Sequence, residues 1–284
     1  MAGDGGGLNM QPDEQTRLWE EQGFLFLPQA LQPSETATLL RAVDAVLESK
    51  HGRIFSQDSG VGERTRAFKV ANAVTETDAL DALIDHPSIF PLLLAFLGPY
   101  LQTMGTEIFV RLPGSGQEPL IDWHRDGGAA MGNLAATPAI PILQLKAQFF
   151  LTDLGEPDAG NFMLVPGSHR VPFPAQGLAP GSTPPGAIQL MAQPGDAVLF
   201  AWSLWHAVAP NRVGRARKSI AIRYGPMWSR PYDYERLPRR VLERMTPRRR
   251  RLFGDLGKGA HPSSYFYPDD DEQLAIMQGD PVSE

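Results

Sequence analysis

The spacing of apolar residues along the chain changes character near residue 100. Before that point the spacing is mostly helical. Pro12–Gln22 reads as a short helix stopped at Gly23, because glycine takes the left-handed conformation that ends helices. Phe24–Leu27, F-L-F-L, is strand-sized and closed by Pro28. Pro33-Ser34 opens a second helix to about Glu48, with Leu39, Leu40, Val43, Val46 and Leu47 forming its apolar stripe. Arg66–Val74 reads as a strand, and Asp78–Ile84 and Pro87–Leu97 as helices, the second ended by Gly98-Pro99.

From Leu101 onward, strand-sized apolar segments recur at 104–112, 120–125, 142–152, 161–166, 187–191, 197–201, 205–210 and 217–224. Turns such as Pro166-Gly167 and Pro194-Gly195-Asp196 separate them, the signature of a β-sandwich or barrel. The expected architecture is mainly β with flanking α: an all-β block at about 100–228, a helical part at 12–99 packed on one sheet, and an extension at 229–284. At this length, 12–284 is expected to form one domain. The Gly-rich residues 1–11 are expected to be disordered, and 51–65, which lack periodicity, to form a mobile loop. The basic run at 239–253 and the acidic run at 268–272 read as a solvated helix and its neighbouring loop.

Composition narrows the function classes. Hydrophobic content of 42% and charged content of 20% describe a soluble globular protein rather than a disordered one. A net charge of −6 offers no electrostatic footprint for nucleic acid or an anionic membrane, so neither is expected as a partner. No apolar run approaches the roughly 18 residues that span a bilayer, and the start has neither a basic nor an apolar leader segment, so a cytoplasmic location is expected. With zero Cys, thiolate catalysis and cysteine-based metal sites are excluded, and any metal must be held by His and carboxylates.

Those residues draw attention to I-D-W-H-R-D-G-G at 121–128. In an extended chain, side chains at i and i+2 share a face, so His124 and Asp126 can converge on one point. The 2-His-1-carboxylate arrangement of non-haem Fe(II) oxygenases needs one further imidazole. His206 offers it, 82 residues later, at the start of a strand that follows the P-G-D turn. Eleven residues beyond lies Arg217, which shares a strand face with Ser219. An arginine beside a hydroxyl suits a carboxylate, which guanidinium binds through two parallel hydrogen bonds. Arg215 and Arg223 have the same parity, so spacing does not choose among the three.

H-R-D at 124–126, His206 and Arg217 together resemble the phytanoyl-CoA dioxygenase family of Fe(II)/2-oxoglutarate oxygenases. The resemblance extends to G-F-L-F-L-P (23–28), F-L-G-P (96–99), N-F-M-L-V-P-G-S-H (161–169) and P-G-D-A-V-L-F (194–200), and so covers about 20–228. It implies a double-stranded β-helix, the jelly-roll or cupin-like fold, with iron held by His124, Asp126 and His206 at its open end. It also implies that Arg217, with Ser219 beside it, grips the distal carboxylate of 2-oxoglutarate. Lys69, in A-F-K-V-A-N, falls about where related enzymes place a co-substrate-binding lysine. His169 is implied to be structural, and Asp126 stands where related halogenases carry a small residue, which disfavours halogenation.

The implied activity is O2-dependent hydroxylation, or another oxidation, of an unactivated C–H in a small organic molecule of secondary metabolism, with release of succinate and CO2. The substrate loop would be Gly127–Pro141, and Trp123, Phe149, Phe150, Trp202 and Trp205 would supply apolar walls or barrel core. A monomer or homodimer is expected. The rival reading is a catalytically inert metal-binding barrel with a binding or regulatory role, in which Arg217 would be dispensable. A cupin-like metal enzyme without 2-oxoglutarate would usually recruit more His, and only His51, His86 and His261 lie outside the motifs.

Overall fold

The computed structural model describes residues 12–50, 66–114, 119–128, 131, 143–174, 178, 179, 181–267, 274–277 and 279. The expectations for 1–11, 51–65 and 268–272, and those for most of 127–141, concern residues outside this set. The helical part comprises α1 (Pro12–Gln22), α2 (Pro33–Ser49) and α3 (Phe90–Leu97), with strands β1 (Phe24–Leu27) and β2 (Ala67–Ala71) between them. Eight strands follow: β3 (Leu101–Arg111), β4 (Ile121–His124), β5 (Leu145–Phe150), β6 (Phe162–Leu164), β7 (Ile188–Gln189), β8 (Ala197–Ala201), β9 (His206–Val208) and β10 (Arg217–Pro226). Two short helices, α4 (Arg239–Glu243) and α5 (Pro247–Leu252), come after them.

The strands form two antiparallel sheets. One has six strands in the order β1-β8-β5-β10-β3-β2, the other four in the order β4-β9-β6-β7. Strand alternation gives the six-stranded sheet two different faces. Leu25, Val70, Ile108, Leu145, Ala147, Phe149, Leu199, Ile220 and Ile222 point outward and pack against Leu39 and Val43 of α2, the turn residues Leu80 and Leu83, and Phe90 and Leu93 of α3. The inner face meets the four-stranded sheet at one end through Phe150, Val198 and Phe200 against Phe162, Leu164 and Leu190. Two sheets packed in this way form the expected jelly roll, with helices covering one of them.

Phe149 is 0% exposed between β5 and the helical layer. Phe149→Ala is expected to cost about 3–5 kcal/mol through lost burial and a residual cavity, read as a lower urea midpoint at unchanged slope.

Two expectations are corrected. The strand beginning near Arg66 ends at Ala71 rather than Val74, because Asn72 takes φ +49 and its N–H turns to the Asp233 carboxylate at 2.7 Å. The basic C-terminal run is only partly solvated: Arg239 and Arg240 are exposed, but Arg248 and Arg251 are buried, Arg249 Nε donates to Asp85 at 2.7 Å, and Arg244 forks onto Asp81 at 2.7 and 3.0 Å. Its partners are carboxylates about 165 positions earlier, beyond any local charge pattern.

Candidate active site

Where the apolar contacts between the sheets stop, a cavity of about 950 Å³ opens, and its wall sets buried charged side chains among apolar ones. β4 lies against β9 with Ile121 opposite Val208 but His124 opposite His206, a one-residue shift in register. Regular pairing would set Trp123 across from His206 and turn His124 to the other face. The shift instead brings the two imidazoles to a centroid separation of 4.2 Å, while Trp123 packs outward with Met163 and Ala207.

Asp126 arrives differently from the i, i+2 alternation read in the sequence. The strand ends at His124, Asp126 sits in a turn with its N–H on the Trp202 carbonyl at 2.9 Å, and Gly127 and Gly128 follow at φ +92 and +56. One potential ligand atom from each of His124, Asp126 and His206 lies within 4.8 Å of the others.

The protonation of this group suits a metal. His124 Nδ1 lies 2.8 Å from the Asp122 carbonyl and His206 Nδ1 2.9 Å from the Leu204 carbonyl. A carbonyl only accepts, so each Nδ1 carries the hydrogen and each Nε2 keeps its lone pair for the shared space. Burial, with His124 beside it, pushes His206 down to about 3, and burial lowers His124 as well against the pull of Asp126. For Asp126, burial alone would raise the carboxyl, but Arg223, Lys146 and the two imidazoles outweigh it and hold the group well below the usual carboxylate range. Two neutral imidazoles and one carboxylate fit a divalent first-row ion such as Fe(II).

Behind Asp126 stands a network of which the sequence pointed to Arg223 and Lys69 but not to Glu107 or Lys146. Arg223 bridges two carboxylates, its Nη2 3.2 Å from Asp126 Oδ1 and its Nε donating to Glu107 Oε2 at 3.2 Å. Lys146, opposite Arg223 on β5, lies 3.4 Å from Asp126 and 3.9 Å from Glu107. Lys69 Nζ reaches Glu107 at 3.3 Å and the Tyr232 hydroxyl at 3.2 Å. Glu107 has no exposed surface, and its three cations overcome the effect of burial to keep it ionised. Inward polar positions alternate along these strands, but alternation alone does not tell which face looks inward.

The three arginines of equal parity on or beside β10 now separate. Arg215 is at the surface, paired with Asp153 at 3.1 Å and Glu156 at 2.9 Å. Arg223 is engaged as described. Arg217 lines the cavity, is 3% exposed, stands opposite Arg111 on β3, and has no hydrogen-bond partner for Nε or Nη2. Burial and Arg111 lower its pKa to about 9, the condition of a cation without its anion. Ser219 shares its inward face, is fully buried, and accepts a hydrogen bond from Gln148 Nε2 at 2.9 Å.

The five aromatics divide between the two expected roles: Phe149 and Phe150 belong to the core, Trp205 stacks edge-on with Phe173, and Trp123 borders the cavity, which Phe109, Phe162, Phe200 and Tyr232 also line. Gly127, Gly128 and Met131, the described part of the expected substrate loop, also line it.

His169 packs in a turn against Gly23, where a Cβ would come within 2.3 Å of its Nδ1. Burial lowers this imidazole to about 4. An unfolded imidazole titrates near 6.5, so between 6.5 and 4 the unfolded chain binds more protons and stability falls as pH drops. The loss of urea midpoint from pH 7 to pH 5 is therefore expected to be smaller in His169→Gln than in the natural protein.

The sequence profile described as phytanoyl-CoA dioxygenase (PhyH) matches residues 19–219. The chain is 25% identical over 284 residues to the dioxygenase trt7 of Aspergillus terreus, covering 95% of this chain and 93% of that protein. It is 27% identical to the dioxygenase cdmA of Talaromyces verruculosus over 87% of this chain and 84% of that one. Among solved structures, HygX from Streptomyces hygroscopicus, with nickel and 2-oxoglutarate bound, superposes with a TM-score of 0.63 at 18% identity over 78% of this chain and 90% of its own. The epimerase SnoN, in complex with Fe3+, alpha ketoglutarate and nogalamycin RO, does so at 0.60 and 24% identity over 78% and 88%. At these identities the structural likeness speaks for the fold, and the profile match over most of the chain speaks for descent: the chain belongs to the phytanoyl-CoA dioxygenase family, the iron- and 2-oxoglutarate-dependent oxygenases that its sequence resembles.

Proposed function

We propose that the protein uses Fe(II), 2-oxoglutarate and O2 to oxidise an unactivated C–H bond of a small organic molecule, releasing succinate and CO2. One observation carries this reading. A neutral–neutral–anionic ligand set and a buried arginine with unpartnered nitrogens face the same cavity. An inert metal-binding barrel has no use for Arg217, since a buried guanidinium lacking hydrogen-bond partners lowers stability unless an anion joins it.

In this reading His124, Asp126 and His206 hold the iron. Arg217, with Ser219 beside it, holds the distal carboxylate of 2-oxoglutarate, and Lys69 on the same wall is the remaining candidate for a co-substrate contact. When bound, iron and 2-oxoglutarate together activate dioxygen, and the co-substrate is oxidatively decarboxylated to succinate. The protein supplies geometry and shelter. The Asp122 and Leu204 carbonyls fix the imidazole tautomers, and Arg223 engages Asp126 Oδ1 while Oδ2 faces His206 and Lys146. No side chain is required as a general base.

The named dioxygenases among the relatives support oxidation of a small molecule, and SnoN, from nogalamycin biosynthesis, favours one of secondary metabolism. No described helix is long and apolar enough to cross a membrane, and we place the enzyme in the cytoplasm, as monomer or homodimer, without a nucleic-acid partner.

The test is anaerobic absorption spectroscopy. Fe(II) followed by 2-oxoglutarate should produce the weak visible charge-transfer band of the chelate. Iron binding without any such band would end the 2-oxoglutarate assignment.

A further inference from the structure

Residues 229–234 lie beyond the stretch that the family profile matches, yet they return to the cavity and dock on β3. Three successive positions of that strand receive them. Pairing with β10 skips Met104, a bulge that leaves its carbonyl to take the Tyr232 N–H at 2.6 Å. At Gly105 a Cβ would come within 2.9 Å of the Asp233 carboxylate, so only glycine gives that group room. Thr106 N–H and Asn72 N–H donate to Asp233 Oδ2 at 3.0 and 2.7 Å. The Ser229 carbonyl accepts from Gln102 Nε2, and the Tyr234 hydroxyl donates to the Thr103 carbonyl at 2.6 Å, so the segment is tied at both ends. Because β2 pairs with β3 only from Glu107 to Arg111, this strap covers the edge that β2 leaves open.

Stability alone does not account for the anchor. Asp233 Oδ1 is buried with no hydrogen-bond partner, and burial raises the carboxyl to about 6. A raised native pKa means that the stability tied to this proton is present below the unfolded value near 3.9 and lost as pH rises through 6, so at neutral pH the charge counts against folding. What the anchor fixes is Tyr232. This residue is 52% exposed and lines the cavity, which places it at the mouth. An exposed ring is ordinarily free to turn, but this one has its N–H on Met104, its hydroxyl 3.2 Å from Lys69 Nζ and its ring centre 4.4 Å from the Arg223 guanidinium. A ring already immobilised while half of it stays unburied is a preorganised apolar contact, because a ligand that packs on it orders nothing further. Inward from the mouth the apolar surface continues through Met104, Phe109 and Phe200, and the Phe200 ring reaches His206 at 5.1 Å.

Resting on the oxygenase reading, we infer that Tyr232 is a specificity-determining residue, against whose ring the apolar body of the substrate packs at the mouth while the reacting C–H bond lies at the metal ligands. Asp233 is the positioning residue that holds the ring there.

The experiment uses the full chain loaded anaerobically with Fe(II) and 2-oxoglutarate and titrated calorimetrically with a neutral apolar probe, 2-naphthalenemethanol. Tyr232→Ala should weaken probe binding at least about fivefold with its charge-transfer band intact, and Tyr232→Phe, which keeps the ring, should stay within about twofold. Asp233→Ala should lose as much as Tyr232→Ala, the double variant no more than either, and Asp233→Asn, which keeps an oxygen for the two N–H groups, should restore binding. Trp228→Ala serves as the control, since Trp228 is as exposed as Tyr232 but lines no part of the cavity. Absence of probe binding, a Tyr232→Ala affinity within about twofold of the natural protein, or an equal loss in Trp228→Ala overturns the inference. So does loss of the band in Tyr232→Ala, since Tyr232 would then act on 2-oxoglutarate through Lys69. Probe binding untouched in Asp233→Ala removes the positioning role. Absence of the band from the natural protein sinks the oxygenase reading instead, and the probe affinities still decide whether Tyr232 binds an apolar ligand, so the two failures are distinguishable.

Discussion

His206→Ala is expected to weaken Fe(II) binding by more than about 100-fold and to leave no measurable turnover. Loss of an outer partner of a metal ligand already costs roughly 10- to 100-fold in affinity, and His206 is proposed as a ligand itself. Its side chain is 4% exposed, clamped between Phe162 and Phe200 at ring separations of 5.4 and 5.1 Å, and tied through Nδ1 to Leu204. No described histidine other than His124 lies in the cluster to replace it. The β9–β6 ladder rests on backbone pairing of Leu164 with His206, so the alanine variant keeps the sheet. Calorimetric titration with Mn(II) or anaerobic Fe(II) reads the effect, and His169→Ala, altered outside the cluster, serves as the control that should retain metal. Metal affinity within threefold of the natural protein in His206→Ala would remove this residue from the site.

Arg217→Met should separate stability from function. A carboxylate paired with a buried guanidinium is worth about 2–5 kcal/mol when one partner is truncated, so affinity for 2-oxoglutarate should fall roughly 30- to 5,000-fold. Without ligand, the same guanidinium keeps Nε and Nη2 unpartnered and faces Arg111 across the β10–β3 pair. Methionine has a similar length and no charge, so the ligand-free variant should be more stable by about 1–3 kcal/mol. The urea midpoint in the absence of 2-oxoglutarate measures the gain, and the charge-transfer titration measures the loss. A destabilised variant with unchanged 2-oxoglutarate affinity would mean that Arg217 is a packing residue and that the anchor lies elsewhere. The same comparison in Arg223→Met should show the opposite stability effect, because Arg223 is saturated by Asp126 and Glu107 and its loss strands both carboxylates.

Much of the fold is legible because each element satisfies a local rule. Pro12–Gln22 ends at a glycine with φ +77, Phe24–Leu27 is bounded by turn residues, and the eight later segments carry the short apolar runs that strands require. The segment Asp78–Leu83 is helical as expected but of the tighter 3-10 type, a distinction that periodicity over six residues does not resolve. The candidate metal ligands were legible for a different reason. With zero Cys and six His, few residues can bind a metal, and their spacing is distinctive.

What local rules left open depends on contacts between distant strands. Spacing could not choose among Arg215, Arg217 and Arg223, and the choice came from which of them found Asp153 and Glu156, which found Asp126 and Glu107, and which found no hydrogen-bond partner for two of its nitrogens. Glu107 and Lys146 look like ordinary strand polars until β10 pairs with both β3 and β5 and buries them on one face, on either side of Arg223. The register shift that turns His124 toward His206 is a property of two paired strands, and neither sequence carries it alone. Hydrophobic period and turn chemistry are encoded over a few neighbouring residues, so the chain declares its elements and its metal-binding residue types. Register, facing and charge pairing are encoded only in the sum of contacts between residues distant along the chain, and they are settled when the two sheets close on each other.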